Sequence, residues 1–72
     1  MQEYLSYKGY RGSIEREEDY YWGQVMGLDK SILLYEGKTL EELDSDFKGC
    51  IEDYYEFCST QGIDIEVPVY SE

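Results

Sequence analysis

The sequence predicts an α+β fold: a two-layer sandwich in which an antiparallel sheet of three to four strands packs on one long helix, in the order βββ(β)α(β). Three observations predict it. First, residues 39–61 carry Leu40, Leu43, Phe47, Ile51, Tyr54 and Cys58 at spacings of three and four, which at about 100° per residue is a single apolar stripe. Second, residues 4–35 break into short alternating or apolar runs, punctuated by glycine and by charged pairs. Third, about 22 helical residues rising ~1.5 Å each make a rod of about 33 Å, and so long a one-sided helix needs a broad apolar platform. Only a sheet built from the remaining short runs supplies one, and strands followed by a helix are the pattern of an α+β sandwich.

Each element has its own local reason. Residues 4–7 are tyrosine-rich and extended, and Lys8-Gly9 is a turn. Residues 10–17 alternate, with Tyr10, Gly12 and Ile14 on one side and Arg11, Ser13 and Glu15 on the other. Glu17-Glu18-Asp19 is a polar break. Residues 20–28 are the richest strand, with apolar or small residues at even positions (Trp22, Met26, Leu28) and odd ones (Tyr21, Gly23, Val25, Gly27). That two-faced character suits a central strand and leaves the core face open. Gly23 and Gly27 fit a bulge or a close backbone approach. Residues 28–31 turn, and residues 32–35 form a short apolar strand. Thr39 with Glu42 reads as a capping box, and acids in the first turn suit the helix dipole. Cys50 and Phe57 widen the apolar stripe on one flank, while Glu41, Glu42, Glu52, Asp53 and Glu56 point away from it. Gly62 turns left-handed past the helix end. Residues 63–67 alternate until Pro68, which restricts them to an edge strand or an extended tail.

The chain of 72 residues is read as one domain, 1–72, near the size below which a single core gives only a few kcal/mol. Association with a partner or a second copy is therefore expected, with a homodimer formed through an edge, residues 32–35 or the tail around Ile65. Seventeen acidic residues against six basic ones give a net charge of −11. Such a surface repels nucleic acid and anionic membranes, and it either attracts a basic protein or simply keeps the chain in solution. Cys50 and Cys58 are eight residues apart on one helix, roughly 12 Å along its axis, so they cannot pair there. With no signal peptide and no apolar run of membrane-spanning length, a cytoplasmic location is expected.

Histidine is absent, which removes the commonest general base and metal ligand and any Ser–His or Cys–His nucleophile. No phosphate-cradling glycine loop is present and the cysteines lack zinc spacing, so no catalytic, cofactor or metal residues are assigned. Clustered carboxylates, Glu15 with Asp44 or Asp46, leave a metal-dependent nuclease as the enzymatic alternative to a solvated acidic face. Twelve aromatics, nine of them tyrosine, are hard to bury in so small a core. Some should meet a partner, since tyrosine is enriched at interfaces.

Taken together, Tyr10-Arg11-Gly12-Ser13-Ile14-Glu15, then Gly23-Gln24-Val25-Met26-Gly27-Leu28, then Tyr35-Glu36-Gly37 with Thr39-Leu40-Glu41-Glu42-Leu43, and Asp53-Tyr54 with Cys58 and Gly62 and the later Pro68, resemble in order and spacing the HicB family of bacterial antitoxins. The resemblance covers about residues 7–68. It implies a small α+β domain related to the double-stranded-RNA-binding and ribonuclease H topologies. It also implies binding to a small basic HicA-like toxin that cleaves messenger RNA. Family members often continue into a DNA-binding segment. This chain stops at Ser71-Glu72 without a basic recognition element, so no C-terminal DNA-binding domain is expected. The expected partner-binding residues are Tyr20, Tyr21 and Trp22 on the outer sheet face and Glu41, Glu52, Asp53 and Glu56 on the acidic helix face. A solitary oligomerisation domain is the remaining alternative.

Overall fold

The computed structural model describes residues 4–70; Ser71-Glu72, where the chain was read to stop, lie outside them. Among the described residues five short strands precede one helix: β1 (Leu5–Tyr7), β2 (Tyr10–Gly12), β3 (Glu15–Arg16), β4 (Tyr21–Gln24), β5 (Leu34–Gly37) and α1 (Leu40–Gln61). β1 pairs antiparallel with β2, and β3, β4 and β5 form an antiparallel sheet in that order. The helix lies across one face, which is the predicted α+β arrangement.

The β1–β2 hairpin turns on Lys8 and Gly9, with φ of 52° and 82°. Positive φ at both central residues is the turn whose twist matches the flanking strands. The predicted strand over residues 10–17 is split at Ser13-Ile14, yet its register runs through: Gly12 opposes Val25 just as Glu15 opposes Trp22. The cause of the split is Tyr35. Its ring crosses from β5 over Gly23 and ends beside Gly12, where a Cβ at either glycine would overlap it. Its hydroxyl donates to the Ser13 carbonyl (2.7 Å), while the Gln24 N–H turns to the Ser13 side-chain oxygen (3.0 Å). A side chain has replaced one rung of the ladder. Gly23 is therefore the close approach that its sequence position predicted, and Gly27 adopts φ 81° beneath the C-terminal tail.

Tyr21 and Gly23 of β4, and Val25 just past its end, face the core. Leu43, Phe47 and Ile51 of the helix are fully buried against Tyr10, Val25 and Tyr35, with the Phe47 ring tilted on Tyr35 at 5.0 Å. Three members of the predicted helix stripe and flank, Tyr54, Leu40 and Phe57, do not join the core. Tyr54 turns to the tail and accepts from the Glu66 N–H, while Tyr55 packs on the core in its place. Leu40, the first helical residue, lies past the last rung of β5 and is half exposed, and Phe57 is exposed on the flank. The strand expected at 32–35 is shifted to Leu34–Gly37, leaving Ile32 exposed. Pairing with β4 sets that register, and Gly37 permits it, because a Cβ there would lie 2.5 Å from the Leu43 nitrogen.

Thr39 accepts from the Glu42 N–H (3.1 Å), but the Glu42 carboxylate accepts from the Lys38 N–H instead of closing the box on Thr39. Gly62 ends the helix at φ 69°, with Ile63 N–H bonded to Cys58 C=O and Gly62 N–H to Ser59 C=O, a Schellman closure. The tail is extended and forms no strand. It is held by one backbone bond, Val69 N–H to Gly27 C=O (3.0 Å), and by side chains: Tyr10 donates to the Glu66 carbonyl and Glu66 N–H donates to Tyr54. The Glu66 carboxylate accepts from the consecutive N–H groups of Asp29, Lys30 and Ser31.

Candidate functional site

The site is built around β5, the outer strand of its sheet. Val25 N–H bonds to Leu33 C=O, so in antiparallel alternation Leu33, Tyr35 and Gly37 turn their backbone groups toward β4 while Leu34 and Glu36 turn theirs outward. Of those outward groups the Glu36 N–H is taken by the Asp46 carboxylate at 2.9 Å. An exposed edge is ordinarily guarded, since unpaired N–H and C=O groups recruit other strands. Here one acidic side chain is the guard, and apolar Ile32 and Leu34 remain exposed beside it, at 79% and 59%.

Two clefts flank this edge. On the helix side, a cleft of about 530 Å³ is lined by Leu33, Leu34, Cys50, Asp53, Tyr54 and Phe57, with Asp46 at its end. It follows a helical stripe, Asp46–Cys50–Asp53–Phe57, that runs beside the core stripe. Burial first, then the carboxylates of Asp46 and Asp53, push the Cys50 thiol above its usual range, so it is a neutral apolar surface. On the outer side, a second cleft of about 370 Å³ is lined by Tyr20, Trp22, Glu36 and Asp46, with Leu34 and Tyr35. Aromatic faces beside carboxylates are a setting for a cationic side chain.

The predicted site residues divide between these features and elsewhere. Tyr20 and Trp22 share the outer cleft, whereas Tyr21 points to the other side and packs against the core, with the Arg16 guanidinium 5.9 Å from its ring. Strand alternation separates it from its two neighbours. Glu41, Glu52, Asp53 and Glu56 are all exposed on the helix, as expected, and they stand differently to the two clefts. Asp53 lines the apolar cleft; Glu41 and Glu56 line neither cleft. Glu52 is spent internally, accepting from Tyr7 (2.6 Å) and pairing with Lys8 (2.7 Å). Lys8, then Tyr7, hold its carboxyl below the usual range. Ile32, Leu34, Glu36, Asp46 and Phe57 supply most of the edge. Of these, Ile32 and Leu34 lie in the segment 32–35 expected to pair as a dimer edge, Asp46 is a candidate from sequence only as a metal-binding carboxylate, and Glu36 and Phe57 are not expected at a binding surface. Their signal was the second helical stripe, at spacings of four, three and four, together with apolar Ile32 and Leu34 two residues apart on a strand.

Among the described residues no group of three or more His, Cys, Asp or Glu side chains is placed to hold a metal ion, and no helix is long and apolar enough to cross a membrane. Fold and site together define a small α+β domain with an incompletely guarded sheet edge between an apolar and an acidic-aromatic cleft. Comparison with protein-family models, with curated proteins and with solved structures gave no match.

Proposed function

We propose that the chain is a HicB-like antitoxin domain, acting in the cytoplasm, that binds a small basic messenger-RNA-cleaving toxin and neutralises it by protein–protein contact rather than by catalysis. The observation that carries this reading is the open β5 edge, with Asp46, Asp53 and Glu36 around exposed Leu34 and Phe57 on a chain of net charge −11. A toxin that works on RNA must present a positive surface, and opposite potentials speed encounter and select against acidic partners. The sequence resemblance supplies the identity of that partner class.

The test is co-expression. A short basic reading frame adjacent to this one should arrest growth alone, and the present chain should relieve the arrest and co-purify with its product. Failure of rescue with both proteins expressed overturns the antitoxin reading. The competing reading, self-association through the same edge, draws on exposed Ile32 and Leu34 and is opposed by the net charge of −11 on each copy. It predicts a dimer in sedimentation of the chain alone.

A further inference from the structure

We propose that the β5 edge receives its partner as an added strand, an extended segment of a basic protein in which apolar and cationic residues alternate. This rests on the reading of the chain as a binder of a basic protein and specifies how the binding is done.

Leu34 and Glu36 direct their backbone groups outward, so a segment lying alongside Leu34–Gly37 continues the antiparallel sheet. Side chains of an added strand point alternately to its two faces. Those on the helix side enter the cleft of Leu33, Cys50, Tyr54 and Phe57, which takes an apolar group. Those on the outer side meet Tyr20, Trp22, Glu36 and Asp46, which take a lysine or arginine. The positions of the two side chains therefore differ by an odd number, as in neighbours i and i+1. Asp46 joins charge recognition to strand addition. In the free chain its carboxylate covers the Glu36 N–H. A cation arriving at Asp46 draws the carboxylate away and frees that N–H for the new strand, so an uncharged or acidic segment leaves the guard in place. A second copy of this chain is the wrong occupant, because pairing two edges places Asp46 and Glu36 of one chain near their equivalents in the other, on bodies that each carry −11.

The experiment uses the intact chain and an eight-residue synthetic peptide of alternating valine and lysine. Binding is followed by Trp22 fluorescence, since Trp22 is the single tryptophan and lines the outer cleft, and by amide exchange at Leu34 and Glu36. The alternating peptide should bind, protect both amides and perturb Trp22. A block peptide of the same composition and an alternating valine–glutamate peptide should bind at least about tenfold more weakly, a difference of roughly 1.4 kcal/mol. Leu34→Lys and Phe57→Lys alter exposed side chains and should each weaken the alternating peptide about tenfold or more, with the unfolding midpoint kept. Glu41→Gln makes the same unit change in charge away from the cleft and should alter binding less than about twofold. Equal binding of the block peptide, indifference to both lysine variants, or a dimer of the free chain paired through β5 overturns the proposal. If the peptide fails while a co-expressed basic protein still rescues growth, strand addition is wrong and the antitoxin reading stands. If rescue also fails, both fall.

Discussion

Tyr35 does two things with one side chain: its ring covers two glycines, and its hydroxyl satisfies the Ser13 carbonyl that the broken ladder leaves over. Burial pushes that hydroxyl well above the usual tyrosine range, against the opposing effect of its bond to Ser13, so it stays a donor. Tyr35→Phe strands the carbonyl and should cost about 1–3 kcal/mol in denaturant unfolding, the desolvation penalty of an unpaired buried group. Gly12→Ala drives a methyl into the same hydroxyl and into Phe47 and should cost about 1–3 kcal/mol as overpacking. The two changes share a contact, so the double variant should lose less than the sum of the singles, by at least about 0.5 kcal/mol. Strict additivity would mean that Tyr35 and Gly12 do not meet. Cys50 makes a further residue-scale case. Its raised thiol pKa predicts slow alkylation at neutral pH, with reactivity rising only in the alkaline range, measured by mass spectrometry across pH.

Among the elements, the tail is the one whose attachment depends on charge. Burial alone would raise the Glu66 carboxyl, but the N–H groups of Asp29, Lys30 and Ser31 outweigh it and hold the group below the usual glutamate range. A depressed folded value means that the tail's stabilisation is complete above the ordinary value of about 4.3 and is lost as pH falls through the folded one. Acidification below that point should therefore loosen residues 63–70 before the helix melts, seen as faster exchange of the Asp29–Ser31 amides while helical circular dichroism persists. Glu66→Gln should show the fast exchange already at neutral pH and abolish its acid dependence. The helix was legible from sequence because its cues are local: Thr39 and Gly62 cap it as read, and the stripe of Leu43, Phe47 and Ile51 is the buried one. The strands were legible as runs but not in their limits, because those limits depend on a non-local event, Tyr35 entering the ladder between Ser13 and Gln24. The docking edge was read only in part. Tyr20, Trp22 and Asp53 could be chosen by residue type and residues 32–35 as an edge, whereas the part played by Asp46 depends on where the helix crosses β5, which is set by packing across the sheet.

For the whole molecule, the net charge of −11 on 72 residues sets two responses to salt that run in opposite directions. Among the described residues, the ion pairs Lys8–Glu52 and Lys48–Asp44 lie at the surface, and such pairs contribute little and are screened. Self-repulsion among the surplus carboxylates is the larger electrostatic effect, and it opposes the compact state. Adding salt shortens the screening length from about 30 Å at 0.01 M to about 10 Å at 0.1 M. The folded chain should therefore gain stability over that range. At about 4–8 °C per kcal/mol for a domain of this size, a rise of several degrees in unfolding midpoint is expected. Association with a basic partner should move the other way, with the association rate falling about tenfold or more over the same range as steering is screened. Apolar contacts at Leu34 and Phe57 are insensitive to screening, so the dissociation rate should change far less. The measurement is calorimetry of the free chain beside surface-plasmon kinetics of the complex in one salt series. A midpoint that falls with salt would mean that ion pairs, and not repulsion, dominate the fold. A salt-independent association rate would mean that the acidic surface takes no part in finding the partner.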